Sequence, residues 1–128
     1  AESVRVKGEV LHAILCHHVE EEPLTLEAGV VRVADALDME KGRSRIPYEF
    51  GGRGINTVSS QAITEVALAS GDDVAVEIEI SMENAAGVYQ VDSLLKAKVQ
   101  NSGLEDHLRI VAVNTREDED QIVERIEL

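Results

Sequence analysis

Apolar positions keep a helical period over the first third of the chain and change it from Ile55 onward, and that change predicts the architecture. Over residues 1–42 the spacing is helical. Val6, Val10, Ile14 and His17 recur at three- and four-residue intervals, which predicts an inward stripe on a first helix. Glu20-Glu21-Glu22-Pro23 interrupts it, because proline disfavours the helical region for the residue before it. Thr25 is placed to cap a second helix, with Glu27 in the first turn, where the helix dipole favours an anion. Leu26, Val30, Val33 and Leu37 form its stripe, Lys41 suits the last turn, and Gly42 sits where a C-terminal cap falls. Residues 43–54 hold three Arg, one Pro and three Gly, a composition that predicts a loop.

Beyond Ile55 the period becomes that of strands. Residues 55–59 predict a short strand and Ile63 to Ala69 a longer one. Ser70 to Asp73 form a turn. Val74, Val76, Ile78, Ile80 and Met82 then alternate with Glu77 and Glu79, the pattern of a strand with one buried face. Asn84 caps a predicted helix running to about Gln100, with Val88, Val91, Leu95 and Val99 inward, and Asn101-Ser102-Gly103 ends it. His107 to Asn114 is the next strand. Glu117 to Glu127 reads as a closing acidic helix with Ile122 and Ile126 inward. The fold class is α+β: helices over residues 1–45, then a small β-β-α-β-α sandwich over 46–128. In that sandwich a right-handed crossover extends an antiparallel hairpin and the helices share one sheet face.

Composition narrows what such a chain can do. Its 128 residues suffice for one core burying about two-thirds of the unfolded chain's surface. Trp is absent and there are one Phe and two Tyr, so the core is aliphatic. No apolar run approaches the length of a membrane span, and the first ten residues contain no apolar signal segment, so a cytoplasmic location is expected. The single Cys16 excludes an internal disulfide. The net charge is −13, from 25 acidic against 12 basic residues. Binding to nucleic acid through Arg43, Arg45 and Arg53 is disfavoured by that balance and by the scarcity of aromatic stacking platforms. An acidic surface poor in Lys also suits a halophilic cytosol, where molar salt screens self-repulsion.

Four features carry chemistry. His17-His18 near the end of the first helix offers imidazoles to a divalent metal, although neighbouring helical residues diverge by about 100°. The same pair fits a helix end touching solvent and backbone carbonyls. Asp35 lies among small apolar residues, where a carboxylate is either at the hydrated edge of the stripe or held by a partner. Lys41, Arg43 and Arg45 form a local positive patch suited to phosphate, or to pairing with Glu20, Glu21, Glu22 or Glu40. Asn84-Ala85-Ala86-Gly87 is a strand-to-helix turn and reads as a cap, not as a phosphate loop. No nucleophilic triad and no paired-cysteine motif is visible.

The stretches AILCHHVEEE and TLEAGVVRVADALDMEKGRSRIP resemble the C-terminal half of an HD-type metal-dependent phosphohydrolase in its archaeal form. IEISMENAAGVYQVDSLLKAKVQNSGLEDHLRIVAV resembles the small α/β domain that follows it in those proteins. The resemblance implies a helical bundle holding one or two divalent ions (Mn, Fe, Ni, Co or Zn) whose bound water attacks a phosphorylated small molecule or nucleotide. It implies that Asp35 is the late metal-binding Asp, that His17 and His18 are an added His pair, and that Lys41, Arg43 and Arg45 meet the phosphate. The family's early His and His-Asp doublet have no counterpart, since Ala13 follows His12. No catalytic residue is therefore assigned, and a chain inactive or weakly active alone is expected. A regulatory or dimerisation role for the α/β part, through the edge strand beside Val74–Met82, is the alternative, and a homo-oligomer is expected.

Overall fold

The computed structural model describes residues 1–42, 55–116 and 125–127. Helix α1 spans Glu2–Leu15 and α2 spans Leu26–Ala36. As the sequence predicts, Thr25 caps α2: its side chain accepts from the Ala28 backbone N–H at 3.3 Å. A short helix α3 covers Ile55–Ser60, and strands β1 (Ile63–Ser70) and β2 (Val76–Met82) follow. The crossover is one helical segment of changing pitch. It runs from a 3₁₀ turn at Ala85–Gly87, through a π-helical stretch at Gln90–Leu95, to α4 at Lys96–Val99. Strand β3 is Leu108–Asn114 and β4 is Arg125–Glu127.

The strands form one mixed sheet in the order β1-β2-β3-β4. β1 and β2 are the expected antiparallel hairpin, β2 and β3 run parallel across the helical crossover, and β3 and β4 are antiparallel. Strict alternation along β2 works as the sequence predicts: Ile78, Ile80 and Met82 are buried while Glu79 is exposed. They join Val91 and Leu95 of the crossover, Ile110 and Ala112 of β3, and Val33 and Met39 from the α2 end in one core. Asn84 caps the crossover by accepting from the Ala86 N–H at 3.0 Å, and left-handed backbone at Asn101 (φ 58°) and Gly103 (φ 80°) turns the chain toward β3.

Three expectations are corrected. Residues 55–59 are helical, not extended, even though Ile55, Thr57 and Val58 favour strands. Their helix packs on the crossover, where buried Gln90 donates to Ser59 Oγ at 2.6 Å. The closing helix over Glu117–Glu127 is replaced at its end by β4, with Ile126 opposite Ala112; residues 117–124 lie outside the described residues. The edge of β3 offers unpaired backbone groups that a strand satisfies and a helix does not. Finally, the stripe Val6, Val10, Ile14 faces solvent. The side of α1 turned to α2 instead buries Ala13 and Cys16, which with Ala28 form a separate three-residue cluster.

Candidate functional site

The segment after α1 carries the His pair predicted from sequence. His17 donates from Nδ1 to the Ile14 carbonyl, since a carbonyl only accepts. In its neutral form the ring therefore keeps its lone pair on Nε2, the atom a metal takes. His18 lies against it, with ring centroids 3.9 Å apart and planes tilted by 42°. His12 is committed otherwise. Its Nε2 accepts from the Leu24 N–H at 3.0 Å, and its Nδ1 lies 3.5 Å from the Cys16 sulfur, so both ring nitrogens serve the loop between α1 and α2.

Asp35 occupies the last turn of α2 with its side chain 43% exposed, which matches the hydrated edge of the stripe. It is not alone there. Lys98 of α4 reaches it, with Nζ 3.5 Å from Oδ2, and donates from the same ammonium to the His17 carbonyl. One mostly buried cation thus joins the end of α1, the end of α2 and the crossover. Nothing in the KAKV stretch signals this from sequence, since the contact spans 63 residues.

The predicted phosphate patch does not gather at the same place. Lys41 pairs with Glu83, Nζ to Oε1 at 3.1 Å, and its backbone N–H donates to the Ile63 carbonyl at 2.7 Å. For Lys41, the pairing expected with Glu20, Glu21, Glu22 or Glu40 is made with Glu83 instead. Glu40 is engaged elsewhere, accepting from the Val66 N–H at 3.0 Å. Arg43 and Arg45 lie outside the described residues. Lys41 and Glu40 between them occupy hydrogen-bonding groups on the outer edge of β1, a device that blunts strand addition there.

Arg32 was missed by sequence reasoning, although an Arg between Val31 and Val33 in an apolar run is a signal. It is 2% exposed and donates to the carbonyls of Glu21 at 2.9 Å and Ala97 at 3.3 Å. Its Nε has no hydrogen-bond partner among the described residues. The guanidinium therefore staples the post-α1 loop and the crossover to α2 through neutral acceptors. Lys98, one residue beyond Ala97, makes the neighbouring link to Asp35.

Beside α2 an open apolar cleft of about 390 Å³ separates Leu26, Val30 and Leu37 from Leu68, Val76 and Leu108. Away from this cleft, charge is organised around Arg109. It donates to Asp73 at 2.5 Å and lies 3.6 Å from Glu77. The Arg109 hydrogen bond holds the Asp73 carboxyl below its ordinary value of 3.8.

Among the described residues no group of three His, Cys, Asp or Glu side chains converges on one point. The position beside Asp35 is held by an ammonium, and His17, His18 and Asp35 do not by themselves complete a metal site. Nor is any helix among the described residues long and apolar enough to cross a membrane.

No family model matches the chain, and no solved structure does. The chain is similar to the uncharacterized protein MJ1020 of Methanocaldococcus jannaschii, with 41% identity over 104 residues. That alignment takes in 81% of this chain but spans only about 40% of the relative's length.

Proposed function

We propose that this chain is part of an HD-type metal-dependent phosphohydrolase, contributing a partial donor set and hydrolysing no phosphoester by itself. In this reading His17, His18 and Asp35 are donors, and donors beyond these 128 residues complete the centre. The phosphate-facing cations of the reading are Lys41, which has to leave Glu83 to serve, with Arg43 and Arg45. The α+β unit is the base on which the helices are mounted.

The observation that carries the reading is Lys98. Its ammonium touches the Asp35 carboxylate and the His17 carbonyl together, so this junction already selects a cation. His17 itself reaches Lys98 through its backbone carbonyl, while its ring nitrogen Nδ1 donates to the Ile14 carbonyl.

Calorimetric titration with Mn²⁺ and Ni²⁺ in molar KCl tests this, comparing the parent with Asp35→Ala. Weak saturable binding that Asp35→Ala abolishes, with no turnover of p-nitrophenyl phosphate, is the expected result. Parent and variant titrating alike would remove Asp35 from the reading. Metal-dependent turnover by the parent would overturn its inactivity.

A further inference from the structure

We propose that His12 is a proton-operated latch on the segment joining α1 to α2, closed while its imidazole is neutral and released when the ring takes up a proton. Side chains anchor that segment. His12 holds the Leu24 N–H, Cys16 the Glu22 carbonyl, Arg32 the Glu21 carbonyl and Lys98 the His17 carbonyl. The first two grip the chain on either side of Pro23, which has no N–H of its own to offer.

Each contact of the latch has one possible direction. The Leu24 N–H only donates, so His12 Nε2 holds a lone pair and accepts at 3.0 Å. In the neutral ring the proton then sits on Nδ1, which faces the Cys16 sulfur at 3.5 Å. The Glu22 carbonyl only accepts, so the thiol donates its hydrogen there, also at 3.5 Å, and the sulfur receives the Nδ1–H. Three links thus run from Leu24 through His12 and Cys16 to Glu22 and close the loop around Pro23. Cys16 is buried and His12 half-buried, so the links are only partly open to water.

An imidazolium carries two N–H groups and no lone pair. Its Nε2 hydrogen faces the Leu24 N–H, and the 3.0 Å contact becomes a clash of two donors. Imidazole is the side chain that makes this change between pH 8 and pH 5. The charged groups on the elements around the ring are Glu9 of α1, which pairs with Arg5, then Glu20, Glu21 and Glu22 of the loop, and Glu27 and Arg32 of α2. Lys98 reaches the loop from α4, and His17 and His18 are its other imidazoles. The carboxylates are the partners an imidazolium turns to, which draws the ring away from Leu24.

Nuclear magnetic resonance on the 128-residue chain at constant salt, from pH 8 to pH 5, tests the proposal. At pH 8 the His12 ring nitrogens should show the proton on Nδ1, and the Leu24 amide should exchange slowly with water. That protection, corrected for the intrinsic pH dependence of exchange, should fall about three- to tenfold by pH 5, the worth of one hydrogen bond. The fall should share its midpoint with the His12 ring. His12→Gln places an amide oxygen that accepts at every pH, so its Leu24 protection should stay level, and His12→Phe should lack the protection throughout. Far-UV circular dichroism checks that α1 is folded in each variant. Parent protection unchanged over the range, a fall whose midpoint differs from that of the His12 ring, or a fall that persists in His12→Gln would overturn the proposal.

Discussion

Substituting alanine for Gly29 inverts the usual effect of that change. In an exposed helix interior, Gly→Ala gains about 1 kcal/mol of helix propensity. At Gly29 an ideal Cβ would lie 2.0 Å from the Ser102 carbonyl oxygen and 3.0 Å from its carbon. An ordinary C···O contact is about 3.3 Å, so α2 must retreat by roughly 1.3 Å or the turn after the crossover must move. Both partners are backbone, and the turn is fixed by left-handed residues at 101 and 103. Retreat also stretches the Arg32–Ala97 hydrogen bond, already 3.3 Å, and lifts Val33 from the core. Overpacking costs about 1–3 kcal/mol, and a lost hydrogen bond from a charged donor about 1.5–3 kcal/mol. After the propensity gain the net destabilisation is about 1.5–5 kcal/mol. Gly8 is the internal control: it is exposed on α1, and a Cβ there meets nothing within 4 Å. Urea unfolding in molar KCl should show Gly29→Ala lower in midpoint than the parent and Gly8→Ala equal or up to about 1 kcal/mol more stable. Equal stabilisation by the two substitutions would refute the close packing of α2 on Ser102.

Three further outcomes follow from named contacts. Arg32→Ala removes the staple between α2, Glu21 and Ala97 and leaves a cavity, so a loss of about 3 kcal/mol is expected in urea. Arg32→Met, which keeps volume and relieves a buried charge with an unpartnered Nε, should cost clearly less. Asp73 is held ionised by Arg109, so its contribution is present at neutral pH and is lost as pH falls below 3.8 through its lowered folded value. Unfolding midpoints measured from pH 6 to pH 3 should therefore show the gap between the parent and Asp73→Asn closing with acid. A gap that stays constant would remove Arg109 as the cause. Gly87→Ala should be milder in the same urea assay than Gly29→Ala, because its Cβ would meet side-chain atoms of Ile63 and Met82 at 3.0 Å and not backbone at 2.0 Å.

How much of this was written in the sequence differs from element to element. The β1–β2 hairpin and the crossover were legible because Ile78, Ile80 and Met82 alternate strictly and the following segment repeats at helical spacing. The caps at Thr25 and Asn84 were legible because a capping side chain needs only its own neighbours. Helix α3 was not, since its β-branched residues favour a strand and are overruled by packing on the distant crossover. At the C-terminal end, Ile122 and Ile126 fit a helical period, while Ile126 and Leu128 equally fit an alternating one. The choice between them rests on the edge of β3. On α1 the apolar residues were read, but a stripe says which side avoids water and not which neighbour covers it.

The candidate site divides along the same line. His17, His18 and Asp35 stand out by residue type, whereas Lys98, which joins two of them, is one lysine among four and meets Asp35 from 63 positions away. Long-range pairs of this kind leave no local periodicity. The buried Arg32 lay between the two cases, visible as a charge in an apolar run, with a role set wholly by where the chain returns.

The most direct measurement of the central claim is the Mn²⁺ affinity of Lys98→Gln against the parent in molar KCl, by calorimetry or electron paramagnetic resonance. If the junction of His17 and Asp35 is a cation position, removing the resident ammonium should tighten Mn²⁺ binding by about tenfold, or 1.4 kcal/mol. In the Asp35→Ala background the gain should disappear. An affinity unchanged by Lys98→Gln, or a gain that survives the loss of Asp35, would contradict the account and leave the His17–Lys98–Asp35 contact as a structural link between helices.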